Sequence, residues 1–160
     1  MKRLFLIRHG EAEFTGHGRG DRGRRLTEDG LAQAARLGHM LAHAGIEIIL
    51  ASTADRAQET AKGMGLSAPV ESIDALYDAS TVTIARTLAD LDATSVQVAA
   101  LVAHAPGVPA LVDELTGPGS DPDAVARVST HFPTATVARI DFEGTWADLS
   151  GARLTWANRG

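Results

Sequence analysis

The chain contains no cysteine, few aromatic residues and no long apolar run, and each of these absences excludes a class of protein. Without cysteine there are no disulfides and no thiolate metal sites, and a reducing compartment is compatible with the sequence. No apolar segment approaches the roughly 20 residues that a membrane-spanning helix needs. The apolar segment Leu4–Ile7 is too short for a signal peptide and leads directly into charged residues. We therefore expect a cytoplasmic protein without a membrane anchor.

The composition is that of a globular protein of ordinary domain size. Hydrophobic residues make up 44% of the 160 residues and charged residues 22%, which favours a folded chain over a disordered one. A single domain over residues 1–160 is expected at this length. The net charge of −5 argues against general nucleic-acid binding. The sequence does not indicate an oligomeric state.

Apolar runs alternate with amphipathic segments over most of the chain. Runs rich in branched residues predict strands at Leu4–Ile7, Ile46–Leu50, Ser95–Ala103, Thr134–Asp141 and Arg153–Ala157, with a short extended piece at Pro69–Glu71. Helices are predicted to begin at Thr27, after Asp55, after Asp78, at Pro106 and at Asp121. Alternation of this kind predicts an α/β fold.

Four side chains that can bind an anion lie where predicted strands end. Arg8 and His9 follow the first strand, Arg56 follows the second, and His104 follows the most apolar strand. In open α/β sheets, ligands bind at this edge. Two guanidinium groups match phosphoryl oxygens, and a neutral imidazole can attack phosphorus and carry the group covalently. A second, protonated histidine could donate to the oxygens in the transition state, so this chemistry needs no metal.

Two other segments carry charge or ligand spacing. Gly16–Arg25 holds four arginines and four glycines, which is typical either of a solvated loop or of an anion-attracting flap, with Arg19 as a candidate contact. His39 and His43 have the i,i+4 spacing of metal ligands. No third ligand accompanies them, so we interpret them as surface helix residues and predict no metal site.

The motifs together resemble the histidine phosphatase superfamily, also called phosphoglycerate-mutase-like. The resemblance covers nearly the whole chain, and its segments are Arg8-His9-Gly10-Glu11, Leu26-Thr27-Glu28 with Gly30, Arg56-Ala57 with Thr60, and His104 with Pro106-Gly107. Phe132-Pro133-Thr134-Ala135 resembles the small SixA-type phosphohistidine phosphatases. The resemblance implies a three-layer sandwich, in which helices flank a mostly parallel, mixed central sheet.

The resemblance also implies roles for individual residues. His9 would be the phosphorylated nucleophile, and Arg8, Arg56 and His104 would form the phosphate pocket. Gly10 would let the backbone approach the ligand closely. No cofactor is implied.

Two positions depart from the family pattern. Many members have Asn where this chain has Ala105, and many place a proton-donating Glu where this chain has Leu76-Tyr77-Asp78. Asp78 is either the replacement acid or a helix N-cap. SixA-type members also lack a clear donor glutamate.

Several functions remain compatible with these residues. The favoured one is a metal-independent phosphatase that removes phosphate from phosphohistidine on a protein. A phosphatase acting on a sugar phosphate or nucleotide is the main alternative. A mutase is less favoured, because phosphoryl return to a second hydroxyl needs a closed site. A non-catalytic phosphate-binding module is supported by Ala105 alone.

Overall fold

The computed structural model describes residues 1–160 and contains one six-stranded sheet. The strands are β1 (Lys2–Arg8), β2 (Ile48–Ser52), β3 (Val70–Ile73), β4 (Val98–Ala103), β5 (Val137–Phe142) and β6 (Arg153–Asn158). Their spatial order is β3-β2-β4-β1-β5-β6. The four strands β1 to β4 are parallel, and β5 and β6 form an antiparallel hairpin beside β1. The predicted mostly parallel, mixed sheet is confirmed.

Helices cover both faces of the sheet. They are α1 (Glu28–Leu41), α2 (Asp55–Gly63), α3 (Thr81–Ala89), α4 (Gly107–Glu114) and α5 (Pro122–Val128). One core packs α1 and α2 against one face, and the larger core packs α3, α4 and α5 against the other. The α/β fold with three layers is therefore confirmed. No helix is long and apolar enough to cross a membrane.

The central strands are apolar throughout because both of their faces are covered. In β1, Leu4 and Leu6 point into the larger core, whereas Phe5 and Ile7 point into the smaller one. All four side chains are buried. Continuous apolar runs of this kind are typical of parallel strands between two helix layers.

Three of the helices have a short polar residue as their N-cap. Thr27 Oγ1 accepts a hydrogen bond from the Gly30 amide and caps α1, as predicted, and Asp121 caps α5. The cap of α3 is Ser80. The interpretation of Asp78 as a helix N-cap is therefore wrong, because α3 begins two residues later than that interpretation requires.

The second strand lies two residues further along the chain than predicted. β2 spans Ile48–Ser52, because it pairs with β3 as far as Ser52 opposite Ile73. Ser52, expected in the turn, is instead the last residue of a strand. It lies at the same edge of the sheet as the carboxyl ends of β1 and β4.

Candidate active site

The two histidines of the sequence motifs lie side by side at the carboxyl edge of the sheet. β1 and β4 are paired with Arg8 opposite Ala103, so the next residues, His9 and His104, are neighbours. The His9 amide donates to the Ala103 carbonyl at 3.0 Å. The two imidazole rings are 5.2 Å apart between centroids. Register in the sheet thus places two chemically versatile side chains at one point.

A cavity of about 410 Å³ opens at this point. Arg8, His9, Arg56 and His104 all line it. Arg56 comes from the first turn of α2 and is 6% exposed. These four residues, which the sequence places at three strand ends, therefore line one cavity.

His9 is held as the tautomer whose Nε2 is free to act as a nucleophile. Its Nδ1 lies 2.7 Å from the Gly10 carbonyl oxygen, which can only accept, so Nδ1 carries the proton and Nε2 keeps a lone pair. Burial, opposed by the Gly10 hydrogen bond and helped by the cations Arg56 and Arg8, lowers the His9 pKa to about 4. The ring is thus neutral near pH 7.

His104 is also neutral near pH 7, which corrects the expectation of a protonated second histidine. Burial, together with the neighbouring His9 and Arg56, lowers its pKa to about 3. Its Nε2 lies 2.8 Å from Ser52 Oγ. In the site without a ligand, the hydrogen that His104 can donate is therefore that of a neutral ring.

Three buried nitrogen atoms around the cavity have no hydrogen-bond partner in the protein. They are Arg8 Nε, Arg56 Nε and His104 Nδ1. Leaving a buried polar group unpaired costs about 1–3 kcal/mol, so proteins rarely do so without a reason. Three such atoms on residues that line one cavity are what an anion with several oxygens would satisfy.

The remaining motif residues hold the segment around His9 in place. The Gly10 amide donates to Thr60 Oγ1 at 2.9 Å, and the same hydroxyl donates to the Arg56 carbonyl at 2.7 Å. A Cβ on Gly10 would lie 2.9 Å from the Gly30 carbonyl oxygen. Gly10 does not line the cavity. The absence of a side chain at Gly10 thus allows close packing against α1. The sequence had suggested instead that it lets the backbone approach a ligand.

The segment Phe132–Thr136 holds the same strand end from the other side. Arg8 Nη1 donates to the Phe132 carbonyl at 2.9 Å, and the Ala135 amide donates to the His9 carbonyl at 2.9 Å. Ala135 has φ +62°, a conformation that is uncommon for residues other than glycine. This segment, recognised in the sequence by its resemblance to SixA-type proteins, fixes the position of Arg8 and His9.

Asp21, a residue that the sequence analysis did not select, contacts Arg56. Arg56 Nη2 donates to Asp21 Oδ2 at 3.0 Å, and Nη1 donates to the Asp21 carbonyl at 2.8 Å. The Tyr77 hydroxyl and Arg24 also donate to this carboxylate. These bonds, with Tyr77 first, hold the Asp21 pKa far below its usual range. A lone acid among four loop arginines was the available sequence signal.

The arginines of the loop are mostly paired within the protein. Arg19 Nη1 lies 2.6 Å from Asp55 Oδ2, and Arg22 Nη1 lies 2.9 Å from Asp74 Oδ1. Arg24 lines the cavity, whereas Arg19 does not, since its charge is directed to Asp55. The proposed flap contact from Arg19 is therefore not made in this structure.

Asp78 also lies outside the main cavity. It is exposed and lines a separate, small pocket beside His104 and Ala105. The carboxylates that do line the main cavity are Glu11 and Glu13. Glu11 accepts from Thr27 Oγ1, and Glu13 lies 3.0 Å from His17 Nε2.

Other parts of the molecule offer less chemistry. His39 and His43 are exposed on or just after α1, and no three histidine, aspartate or glutamate side chains form a metal-ligand cluster. A larger cavity of about 470 Å³ lies between α4 and α5. Its lining contains one histidine, His131, and no arginine.

Comparison with known proteins identifies the family. The histidine phosphatase superfamily (branch 1) matches residues 4–83, half of the chain. An uncharacterised protein of Mycobacterium leprae is 36% identical over 131 residues, covering 81% of each chain.

Two solved structures share the fold. A candidate phosphohistidine phosphatase SixA from Nakamurella multipartitia is 30% identical with a TM-score of 0.87, covering 99% of this chain and 95% of that one. The protein histidine phosphatase SixA in complex with tungstate is 26% identical with a TM-score of 0.76, covering 97% of this chain and 95% of that one.

The chain belongs to the histidine phosphatase superfamily. Within that superfamily its fold is of the SixA type, as the sequence motifs indicated, and the protein is a phosphatase. A non-catalytic binding module is thereby set aside.

Proposed function

We propose that this phosphatase works through a covalent phosphohistidine at His9 and that its preferred substrate is phosphohistidine on a protein. The observation that carries the mechanism is the set of three unpartnered nitrogens, on Arg8, Arg56 and His104, beside the neutral imidazole of His9. In this proposal these three residues bind the phosphoryl oxygens, and His9 attacks phosphorus.

The reaction takes two steps. In the first, the Nε2 lone pair of His9 forms a bond to phosphorus while the bond from phosphorus to the substrate nitrogen breaks. The departing imidazole accepts a proton from solvent. In the second step water attacks phosphorus and gives up a proton to solvent while the bond from phosphorus to His9 Nε2 breaks. Its electron pair returns to Nε2, which leaves neutral His9 and inorganic phosphate. The Arg8 and Arg56 guanidinium groups stay charged throughout and stabilise the negative oxygens.

The choice of substrate depends on the leaving group. An oxygen leaving group from a phosphoester is strongly basic and benefits from a positioned acid. Asp78, the acid suggested by the sequence, does not line the cavity. The imidazole nitrogen of a phosphohistidine is protonated readily, so its departure depends less on such an acid. The similarity to SixA proteins supports the same choice.

A small phosphoester, such as a sugar phosphate or nucleotide, is the second candidate. The cavity volume of about 410 Å³ would admit more than a phosphoryl group. Glu11, Thr27 and Thr134 add polar groups to its lining that could bind hydroxyls. This substrate class requires a proton source other than Asp78.

Replacement of His9 tests the mechanism. We expect His9→Ala to abolish turnover and to prevent incorporation of phosphate from a radiolabelled substrate. The wild-type adduct should be stable in base and labile in acid. His43→Ala, the same change at an exposed position, should leave both unaffected. Turnover by His9→Ala, or an acid-stable adduct, would contradict a phosphohistidine intermediate.

A substrate panel tests the substrate class. We expect kcat/KM for a phosphohistidine-carrying protein to exceed that for sugar phosphates, nucleotides and phosphoserine peptides. A small phosphoester hydrolysed faster than every phosphohistidine protein would reverse the ranking without affecting the mechanism. The cytoplasmic location expected from the sequence stays a prediction.

A further inference from the structure

Ser52 makes a hydrogen bond that the motifs do not explain. It is the last residue of β2, its side chain is fully buried, and its Oγ lies 2.8 Å from His104 Nε2. It does not line the catalytic cavity. Its Oγ contacts one cavity-lining side chain, that of His104, and also accepts from the Ala54 amide at the start of α2.

The proton of the Ser52 hydroxyl has one available acceptor. The Ala54 amide donates to Ser52 Oγ at 3.3 Å, and an amide nitrogen cannot accept in return. The other neighbour is His104 Nε2. If Nε2 carried a proton and donated to Oγ, the buried hydroxyl proton would be left without an acceptor, at a cost of about 1–3 kcal/mol. The hydroxyl therefore donates to Nε2.

This direction decides which nitrogen of His104 carries the proton. A neutral imidazole has one N–H, so an accepting Nε2 requires the proton on Nδ1. Nδ1 is buried and has no partner in the protein. The opposite tautomer would leave a lone pair on Nδ1 beside the bound anion, which would be repulsive.

We propose that Ser52 is a positioning residue, which holds His104 as the neutral Nδ1–H tautomer so that Nδ1 donates to a phosphoryl oxygen. The proposal rests on the proposed phosphate site and adds the source of one of its donors. The lowered pKa of His104 agrees with it, since burial keeps this ring neutral near pH 7. Arg8 and Arg56 supply charge, whereas His104 supplies a directed hydrogen bond.

Nitrogen-15 NMR of the unmodified protein tests the proposal directly. The two neutral tautomers of histidine have different ring-nitrogen shifts, so His104 can be assigned by comparison with a His104→Gln variant. We expect the Nδ1–H form in the wild type at pH 7. An Nε2–H ring, or a mixture of both forms, would overturn the proposal, and this measurement needs no variant of Ser52.

Substitution of Ser52 tests the consequence for the reaction. In Ser52→Ala we expect His104 to lose its single tautomer, tungstate to bind about tenfold more weakly, and kcat/KM to fall about 10–100-fold. This loss is smaller than the roughly 10²–10³-fold loss on removal of one transition-state donor, because the imidazole ring remains. Ser52→Thr keeps the hydroxyl and should restore the tautomer and part of the activity. Ser72→Ala on β3, at an exposed position, is the matched control and should change neither the His104 tautomer nor the activity.

The outcomes separate this proposal from the proposed function. If His9→Ala and His104→Gln both abolish activity while Ser52→Ala keeps the tautomer and the tungstate affinity, Ser52 has only a structural role and this proposal fails. If His104→Gln itself leaves tungstate affinity unchanged, the assignment of His104 to the phosphate site fails first.

Discussion

The side chains at the candidate catalytic cavity are held in two different ways. The strand-end group consists of Arg8, the last residue of β1, and of His9 and His104, which directly follow β1 and β4. Backbone hydrogen bonds within the sheet fix their relative positions. Arg24, Arg56 and Asp21, here called the loop-held group, meet through side-chain bonds to a carboxylate that is 49% exposed.

The two groups differ in how rigidly their side chains are positioned. Register in a central sheet cannot change without breaking several backbone hydrogen bonds, so the strand-end group is preorganised for an anion. The bonds of the loop-held group are ion pairs near the surface, which water and salt weaken. A phosphoryl group that binds Arg56 would also compete with Asp21 for the same guanidinium. We therefore expect large effects from changes to the strand-end group and smaller ones from changes to Asp21 and Arg24, the loop residues that surround Arg56.

Arg8→Ala should have the largest effect among these changes. It removes a fixed charge and a buried donor that has no other partner, and we expect kcat/KM to fall on the order of 10³-fold. Arg8 also lowers the His9 pKa, so that pKa should rise in the variant. Arg36→Ala on the exposed side of α1 is the control. A loss below tenfold would indicate that the strand-end group does not bind the phosphoryl group through Arg8.

The strand-end group should also make stability depend on pH. As pH falls through about 6.5, His9 and His104 of the unfolded chain take up protons. In the folded protein His9 takes up its proton only near pH 4. The free energy of unfolding should therefore fall between these values, by about 1 kcal/mol per pH unit for each ring. Urea denaturation between pH 7 and about 4 measures this dependence.

His9→Gln separates the contribution of this ring from other titrations. The variant should lose less stability than the wild type over the same interval of pH, whereas His39→Gln at an exposed position should behave as the wild type. Identical pH dependence in the wild type and His9→Gln would show that the His9 pKa is not lowered by folding.

The sequence predicts the strand-end group better than the loop-held group, and the reason is physical. Apolar runs mark central strands, and polar residues directly after them fall at one edge of the sheet, so Arg8, His9 and His104 could be placed together. The glycine-rich loop has no periodicity, so the lone acid Asp21 among four arginines is the one sequence feature that points to a partner of Arg56. The ends of short strands are weakly encoded, and placing the end of the second strand at Leu50 hid the role of Ser52.

Asp21→Asn should sharpen the contrast by changing charge at nearly constant shape. The variant removes one negative charge beside Arg56, so inorganic phosphate should inhibit more strongly at low ionic strength. We expect about a fivefold lower inhibition constant, because an exposed unit charge a few ångström away is worth about 1 kcal/mol in water. High salt should reduce the difference.

Asp123→Asn, which makes the same change in net charge on α5, is the control for Asp21→Asn. It should leave phosphate inhibition close to that of the wild type. Equal inhibition constants for the two variants would indicate that Asp21 does not compete with the anion.

Arg19→Ala should have the smallest effect, although the residue lies in the same loop. Its guanidinium is exposed and paired with Asp55, and exposed ion pairs contribute about 0–1 kcal/mol. We expect KM and kcat within about twofold of the wild type, while Arg24→Ala, at a residue that lines the cavity, should raise KM more clearly. A tenfold rise in KM for Arg19→Ala would mean that the loop rearranges when substrate binds and that Arg19 then contacts the anion. In that case the ion pair between Arg19 and Asp55 would exist in the free protein alone, and Asp55 would release Arg19 when substrate binds.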